Sequence, residues 1–96
     1  MNYRCPICGY PNLIAPPKDY MICPSCGTEF GNDDANYDSP AEAYRELRSA
    51  WLRRGAPWFS HYTPPPPSWD PYRQLAEAEL LGAETRQDAN VKTTRG

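Results

Sequence analysis

The chain has 96 residues, a net charge of −2, twelve prolines and twelve aromatic residues. This length is that of one domain, and with so few branched aliphatic residues the aromatic rings must supply much of the buried area. The slightly acidic balance argues against a protein that binds nucleic acid mainly through clustered lysines and arginines.

The hydropathy and the amino terminus set the expected compartment. No stretch approaches the roughly 18 apolar residues of a membrane-spanning helix, and residues 1–10 lack the pattern of a signal peptide. We therefore expect a protein that does not enter the membrane and that lies in the reducing cytoplasm, where paired cysteines more often bind metal than form disulfides.

Four cysteines near the amino terminus follow a Cys-x2-Cys-x14-Cys-x2-Cys spacing. Each pair encloses a proline, which fixes φ within a tight turn. Each pair is also followed by a glycine, which permits the positive φ needed as the chain leaves that turn. Two such turns can place four thiolates around one tetrahedral ion. The predicted metal ligands are Cys5, Cys8, Cys23 and Cys26.

The predicted metal is zinc, with iron as the alternative, because a tetrahedral four-sulfur site suits both ions. Two disulfides are a further alternative, disfavoured in a reducing compartment. Four protein ligands leave no position for an activated water, which a catalytic zinc requires. The expected role of the metal is therefore structural.

Short segments rich in aromatic and branched residues flank the cysteine pairs. Residues 10–14 and 20–22 are strand candidates, with residues 15–19 as the loop of a hairpin. Residues 1–31 are thus predicted to form a zinc ribbon of β-hairpins. The predicted fold class is a small metal-stabilised α+β protein, in which two short helices joined by a polyproline segment follow the ribbon.

The first predicted helix begins after Ser39 and ends before Gly55. Ser39 is a good N-cap, followed by a proline at the first helical position and Glu42 at the third, which together form a capping box. Tyr44, Leu47 and Trp51 recur at helical spacing on one face. We expect this face to be buried.

A proline run, residues 64–67, precedes the second predicted helix. The run favours the polyproline II conformation and is predicted to pack on tryptophan rings, with a ligand for an aromatic groove as the alternative. Asp70 is the predicted N-cap of the second helix and Gly82 its stop, with an apolar stripe through Tyr72, Leu75, Ala76 and Leu80. Residues 32–82 form the predicted helical extension, packed on the ribbon, and residues 83–96 a flexible tail.

No arrangement typical of a catalytic site is present in the sequence. His61 is the only histidine, and neither Ser60 nor Asp70 completes a recognisable nucleophile arrangement with it. The protein is therefore predicted not to be an enzyme.

Several segments resemble those of small bacterial cysteine-rich zinc-ribbon proteins, which are commonly left without an assigned activity. They are CPICGYPNL, YMICPSCGTEFGNDD, LRSAWLRRGAPWFS and PPPPSWDPYRQL, and together they span roughly residues 3–80. The two cysteine turns also resemble the knuckles of rubredoxin. A related group has an adjacent Cys-Cys in its first knuckle, where this chain has Ile7. The resemblance implies a ribbon fold and a bound metal, and it supplies no reaction.

Three functions are compatible with these features. The first is a non-enzymatic module that binds another protein, as an adaptor, an immunity protein or an inhibitor. The second is a rubredoxin-like iron electron carrier, and the third is a zinc ribbon that binds nucleic acid through arginines and aromatic rings. Tryptophan, tyrosine and arginine are common at interface hot spots. The predicted contact residues are Arg45, Arg48, Arg53, Arg54, Trp58, Phe59, Tyr62 and Trp69.

Overall fold

The structure is a computed structural model that describes residues 2–81. It contains two helices, α1 (Pro40–Arg53) and α2 (Pro71–Glu77), and no strand within the described range. The predicted α+β fold with β-hairpins is therefore wrong, although both helices are present near their predicted positions. The predicted tail, residues 83–96, lies outside the described range. No helix within residues 2–81 has the length and apolar character needed to cross a membrane.

The segments predicted as strands make isolated backbone contacts instead of a sheet. The two antiparallel bridges are Tyr3 with Leu13 and Ile22 with Glu29. Pro11 lies beside the first bridge and has no N–H to extend it. Tyr20 precedes the second bridge with a φ of 65°, which bends the chain away from the extended conformation. Two tight turns, rather than a sheet, therefore shape the amino-terminal segment.

Helix α1 begins and ends where its capping residues predict. Ser39 Oγ accepts a hydrogen bond from Glu42 N (3.1 Å), and the Glu42 carboxylate accepts one from Asp38 N (3.1 Å). Arg54 caps the carboxyl end, and Gly55 follows with a φ of 96°, the conformation that commonly ends a helix. The capping residues thus fix the bounds of α1 from local chemistry alone.

Helix α2 is shorter than predicted and buries a different face. It is capped by Asp70, whose side chain accepts hydrogen bonds from the first turn, but it ends well before Gly82. Glu79 has a φ of 60°, and this turn folds Leu80 back so that its N–H donates to Leu75 O (2.8 Å). Gln74 and Leu75 are buried, whereas Tyr72 and Ala76 of the predicted apolar stripe are exposed.

The core forms around the four cysteines. Its fully buried side chains come from both cysteine turns, from α1 and from α2. They include Cys5, Ile7, Cys8, Leu13, Cys23, Phe30, Trp51 and Leu75. The candidate metal site is therefore part of the hydrophobic core.

An aromatic cluster connects the amino-terminal segment to the chain between the helices. The Trp58 ring meets the Tyr10 ring edge-on at 5.6 Å between centroids and the Trp69 ring at 5.1 Å. Residues 64–67, the proline run, are all exposed, which does not fit their predicted packing on tryptophan rings. Trp58 and Trp69 are themselves only half-buried.

Candidate metal centre

The structure brings the four predicted cysteine ligands together. Their sulfur atoms all lie within 4.8 Å of one another, and all four residues are buried. The distance is 3.9 Å between Cys5 Sγ and Cys26 Sγ and 3.7 Å between Cys8 Sγ and Cys23 Sγ. A tetrahedral ion with metal–sulfur bonds of about 2.3 Å requires sulfur atoms about 3.8 Å apart. The donor set therefore fits one tetrahedral metal ion.

The two cysteine turns have the same backbone structure. We call residues 5–9 the first knuckle and residues 23–27 the second knuckle. Each closes with a hydrogen bond from its glycine to its first cysteine: Gly9 N to Cys5 O (3.0 Å) and Gly27 N to Cys23 O (2.8 Å). Both glycines have positive φ, 85° and 82°. The repeated Cys-Pro-x-Cys-Gly sequence thus encodes one turn twice.

Polar groups of the protein surround the sulfur atoms. Ile7 N and Cys8 N both point at Cys5 Sγ, at 3.4 and 3.5 Å. Thr28 Oγ1 lies 3.3 Å from Cys26 Sγ, where its hydroxyl is placed to donate to a thiolate. Donors of this kind stabilise metal-bound thiolates and hold them in position.

Side chains from both helices bind the knuckle backbone. From α1, Arg48 donates through Nε to Ile7 O (2.7 Å) and through Nη2 to Pro6 O (2.9 Å). From α2, Gln74 Nε2 donates to Cys8 O and to Ser25 Oγ, both at 3.0 Å. Gln74 thus joins the two knuckles, and Arg48 holds the first knuckle to α1.

The second knuckle is held by backbone amides. Phe59 N donates to Ser25 O (3.2 Å) and Ser60 N to Pro24 O (2.9 Å). These carbonyls correspond in the repeat to Ile7 O and Pro6 O, the two carbonyls that Arg48 binds. The buried Arg48 guanidinium therefore binds the same two carbonyl positions of the first knuckle that two backbone amides bind in the second.

The electrostatics of the cysteine cluster favour a bound cation. Burial raises the pKa of the Cys5 thiol, and the hydrogen bond with Cys23 raises that of Cys8. The neighbouring thiols, Cys23 foremost, hold the pKa of Cys26 well below its usual range. The thiols thus favour partial ionisation, because several thiolates in one buried volume repel one another. A divalent ion removes this repulsion and deprotonates its ligands.

The first knuckle and α2 approach so closely that Gly9 has no room for a side chain. A Cβ at Gly9 would lie 2.8 Å from Ala78 Cβ and 2.9 Å from Gln74 O, whereas one at Gly55 would meet nothing within 4 Å. Both glycines have positive φ, for which any other residue costs about 1–2 kcal/mol. We expect Gly9→Ala to lower the free energy of unfolding by clearly more than Gly55→Ala, because it also displaces α2. Denaturant titration of the metal-loaded variants measures the difference, and equal losses would contradict the close contact.

The eight predicted contact residues fall into three groups. Four are exposed: Arg53, Arg54, Phe59 and Tyr62. Three are half-buried: Arg45, Trp58 and Trp69. Arg48 is only 4 % exposed and binds the first knuckle, so it is not available to a partner. His61 is exposed and is separate from the cysteine cluster in the core.

Sequence reasoning missed two residues that position the cysteines, Arg48 and Gln74. Only Tyr44, Leu47 and Trp51 were predicted to lie on the buried face of α1, although the i, i+4, i+7 spacing of Tyr44, Arg48 and Trp51 could have placed Arg48 there as well. Arginine and glutamine are seldom fully buried, so Arg48 was predicted to contact a partner and Gln74 was not singled out. Their buried hydrogen bonds to carbonyls of the first knuckle explain the exception.

A groove of about 510 Å³ lies beside the second knuckle. None of the described residues that line it is an aspartate, glutamate, lysine, arginine or histidine. Its largest apolar side chains are Tyr10, Leu13, Ile14, Met21, Ile22, Phe59 and Tyr62. Ile14 and Tyr62 are 86 % and 96 % exposed. Only Phe59 and Tyr62 of this set were predicted as contact residues.

Comparison of the chain with protein-family models, with curated proteins and with solved structures finds no significant match. The arrangement of the four cysteines is compatible with a zinc-ribbon-like protein. The resemblance to zinc-ribbon proteins is therefore supported by the metal site alone.

Proposed function

We propose that the chain is a non-enzymatic protein–protein interaction module, of adaptor, immunity or inhibitor type, with a structural metal. The observation that supports this proposal most is the buried four-cysteine cluster. Four sulfur ligands complete a tetrahedral coordination sphere, whereas catalytic zinc sites keep a position open for water or substrate. With its ligands buried in the core, the metal stabilises the fold and leaves recognition to the surface.

Zinc is the proposed metal, and the cytoplasm is the proposed compartment. Zinc ions prefer closed tetrahedral thiolate sites in structural roles, and a reducing compartment keeps the thiols available. Elemental analysis of the purified protein tests this assignment. An iron-loaded, coloured and redox-active protein would favour the electron carrier instead.

The groove beside the second knuckle is the proposed contact surface. Exposed apolar patches often mark interaction sites, and the groove combines exposed aliphatic and aromatic side chains with no charged residue in its described lining. Such a surface suits an uncharged, apolar segment of another protein. Nucleic-acid binding is less well supported, because burial of Arg48 removes one arginine from the surface it requires.

Substitution of Ile14 by aspartate tests the groove. Ile14 is 86 % exposed, so Ile14→Asp should change the free energy of unfolding by no more than about 0.5 kcal/mol. A charge in an apolar interface carries a large desolvation penalty. We therefore expect Ile14→Asp to abolish the recovery of a stoichiometric partner from an extract of the source cells.

Arg73→Gln serves as the matched control, because it changes the net charge by the same amount at an exposed position of α2 that does not line the groove and was not predicted to contact a partner. The wild type and the control should recover the same partner in equal amounts. Recovery of that partner by Ile14→Asp, or recovery of no stoichiometric partner by the wild type, would contradict the proposal.

A further inference from the structure

The two knuckles share one backbone structure, but the groups that bind their outer carbonyls differ in charge. In the first knuckle, Pro6 O and Ile7 O accept hydrogen bonds from the Arg48 guanidinium. In the second, the corresponding carbonyls accept from the neutral amides of Phe59 and Ser60. The chain thus places one cation against one half of a pseudo-symmetric metal site.

The carbonyls that Arg48 binds belong to particular peptide groups. Pro6 O shares its peptide group with Ile7 N, and Ile7 O shares its peptide group with Cys8 N. These two amides are the ones that point at Cys5 Sγ, at 3.4 and 3.5 Å. Arg48, two peptide groups and Cys5 therefore form two continuous hydrogen-bonded chains from a guanidinium to a metal-ligand sulfur.

We infer that Arg48 is a positioning residue that strengthens the amide–sulfur hydrogen bonds to Cys5. Hydrogen-bonded chains polarise each of their members, and bonds to a charged donor are roughly twice as strong as neutral ones. A guanidinium on a peptide oxygen withdraws electron density from the peptide nitrogen, which makes its N–H a better donor. The buried location of Arg48, 4 % exposed, keeps this effect from being screened by water.

This inference rests on the proposed metal, and its test begins by establishing that a metal binds. The probe is the full-length protein loaded with ¹¹³Cd²⁺, a spin-½ ion that also forms tetrahedral thiolate sites. Scalar coupling between an amide proton and ¹¹³Cd across an N–H···S contact reports the strength of that hydrogen bond. We expect measurable couplings for Ile7 and Cys8 in the wild-type protein, because both amides point at Cys5 Sγ.

Variants of Arg48 distinguish an effect of its charge on the amide–sulfur hydrogen bonds from a purely structural role in holding the first knuckle. Arg48→Gln keeps neutral donors and removes the charge, whereas Arg48→Lys keeps the charge without the planar fork of donors. We expect Arg48→Gln to reduce the couplings at Ile7 and Cys8 and to leave those at Ser25 and Cys26 unchanged. Arg48→Lys should reduce them less, and the exposed control Arg54→Gln should reduce none.

An iron-loaded form provides a second measurement. Four thiolates on iron carry a charge of −1 in the ferric state and −2 in the ferrous state, so a nearby cation favours the reduced form. We expect Arg48→Gln to shift the midpoint potential to a lower value, with a smaller shift for Arg48→Lys and none for Arg54→Gln. Equal potentials in all variants would show that Arg48 only braces the knuckle.

The outcomes for the metal and for Arg48 are distinguishable. Failure of the wild-type protein to bind one ¹¹³Cd²⁺ per chain would overturn the proposed metal site and this inference with it. Stoichiometric binding with couplings at Ile7 and Cys8 that are unchanged in Arg48→Gln would overturn only the role of Arg48. If Arg48→Gln does not fold, Arg48→Lys decides the inference: couplings at Ile7 and Cys8 equal to those of the wild type would overturn it, because lysine lacks the planar fork that binds both carbonyls.

Discussion

Removal of the metal should unfold the protein. Binding of a structural zinc contributes apparent free energies of about 10–16 kcal/mol in small zinc-dependent units at neutral pH, which is as large as the whole stability of a typical domain, about 5–15 kcal/mol. Here the cysteines are part of the hydrophobic core, and both helices bind the knuckle backbone. Loss of the metal should therefore release the helices together with the knuckles.

Circular dichroism during titration with a chelator at neutral pH measures this loss. We expect helical signal and cooperative melting to disappear together and to return when zinc is added back. Cys23→Ser should show the unfolded profile with or without added zinc, because it lacks one ligand. A melting profile that is unchanged after elemental analysis has verified metal removal would contradict a structural role.

Truncation of Trp51 should be the most damaging single change to the core outside the cysteines. Its side chain is 1 % exposed, and its indole Nε1 donates to Pro57 O (2.9 Å). It thereby connects α1 to the segment whose amides at Phe59 and Ser60 bind the second knuckle. Removal of a buried tryptophan costs about 3–5 kcal/mol, enough to unfold a marginally stable domain.

Thermal melting of Trp51→Ala in the presence of excess zinc measures this effect. Tyr62→Ala is the matched control, because it removes another aromatic side chain at a position that is 96 % exposed. We expect the control to stay within about 0.5 kcal/mol of the wild type. Equal melting temperatures for the two variants would show that Trp51 is not part of the core.

The ligands and helix α1 could be predicted because each depends on local chemistry. The spacing and the repeated proline and glycine identify the four cysteines, and Ser39, Pro40 and Glu42 fix the start of α1. A cap and a knuckle are complete within a few residues of sequence. Neither requires knowledge of what packs against it.

The strands were predicted wrongly because the amino-terminal segment is shaped by nonlocal packing. Aromatic and branched residues at 10–14 and 20–22 have high β-propensity, but propensity reflects burial as much as backbone preference. In the structure Tyr10 and Leu13 are buried in the same cluster as the cysteines. The only strand-like pairings among the described residues are two isolated bridges, Tyr3 with Leu13 and Ile22 with Glu29. Packing against the cysteine cluster and the two helices, instead of pairing in a sheet, therefore determines the conformation of this segment.

The roles of Arg48 and Gln74 could not be predicted, because each depends on a partner far along the chain. Arg48 binds carbonyls more than forty positions away, at separations of 41 and 42 residues, and Gln74 binds Cys8 O across 66 residues. The burial of Arg48 could have been inferred from its helical spacing with Tyr44 and Trp51, but the carbonyls that Arg48 and Gln74 bind could not. Only the fold shows that these polar side chains satisfy the knuckle carbonyls.

A closed coordination sphere is the property on which the non-enzymatic proposal depends most, and X-ray absorption at the metal edge measures it directly. We expect one metal ion per chain, with a first shell of four sulfur atoms at about 2.3 Å and no nitrogen or oxygen ligand. A first shell that contains an oxygen or nitrogen atom beside three sulfurs would reveal an open position and would contradict a purely structural site.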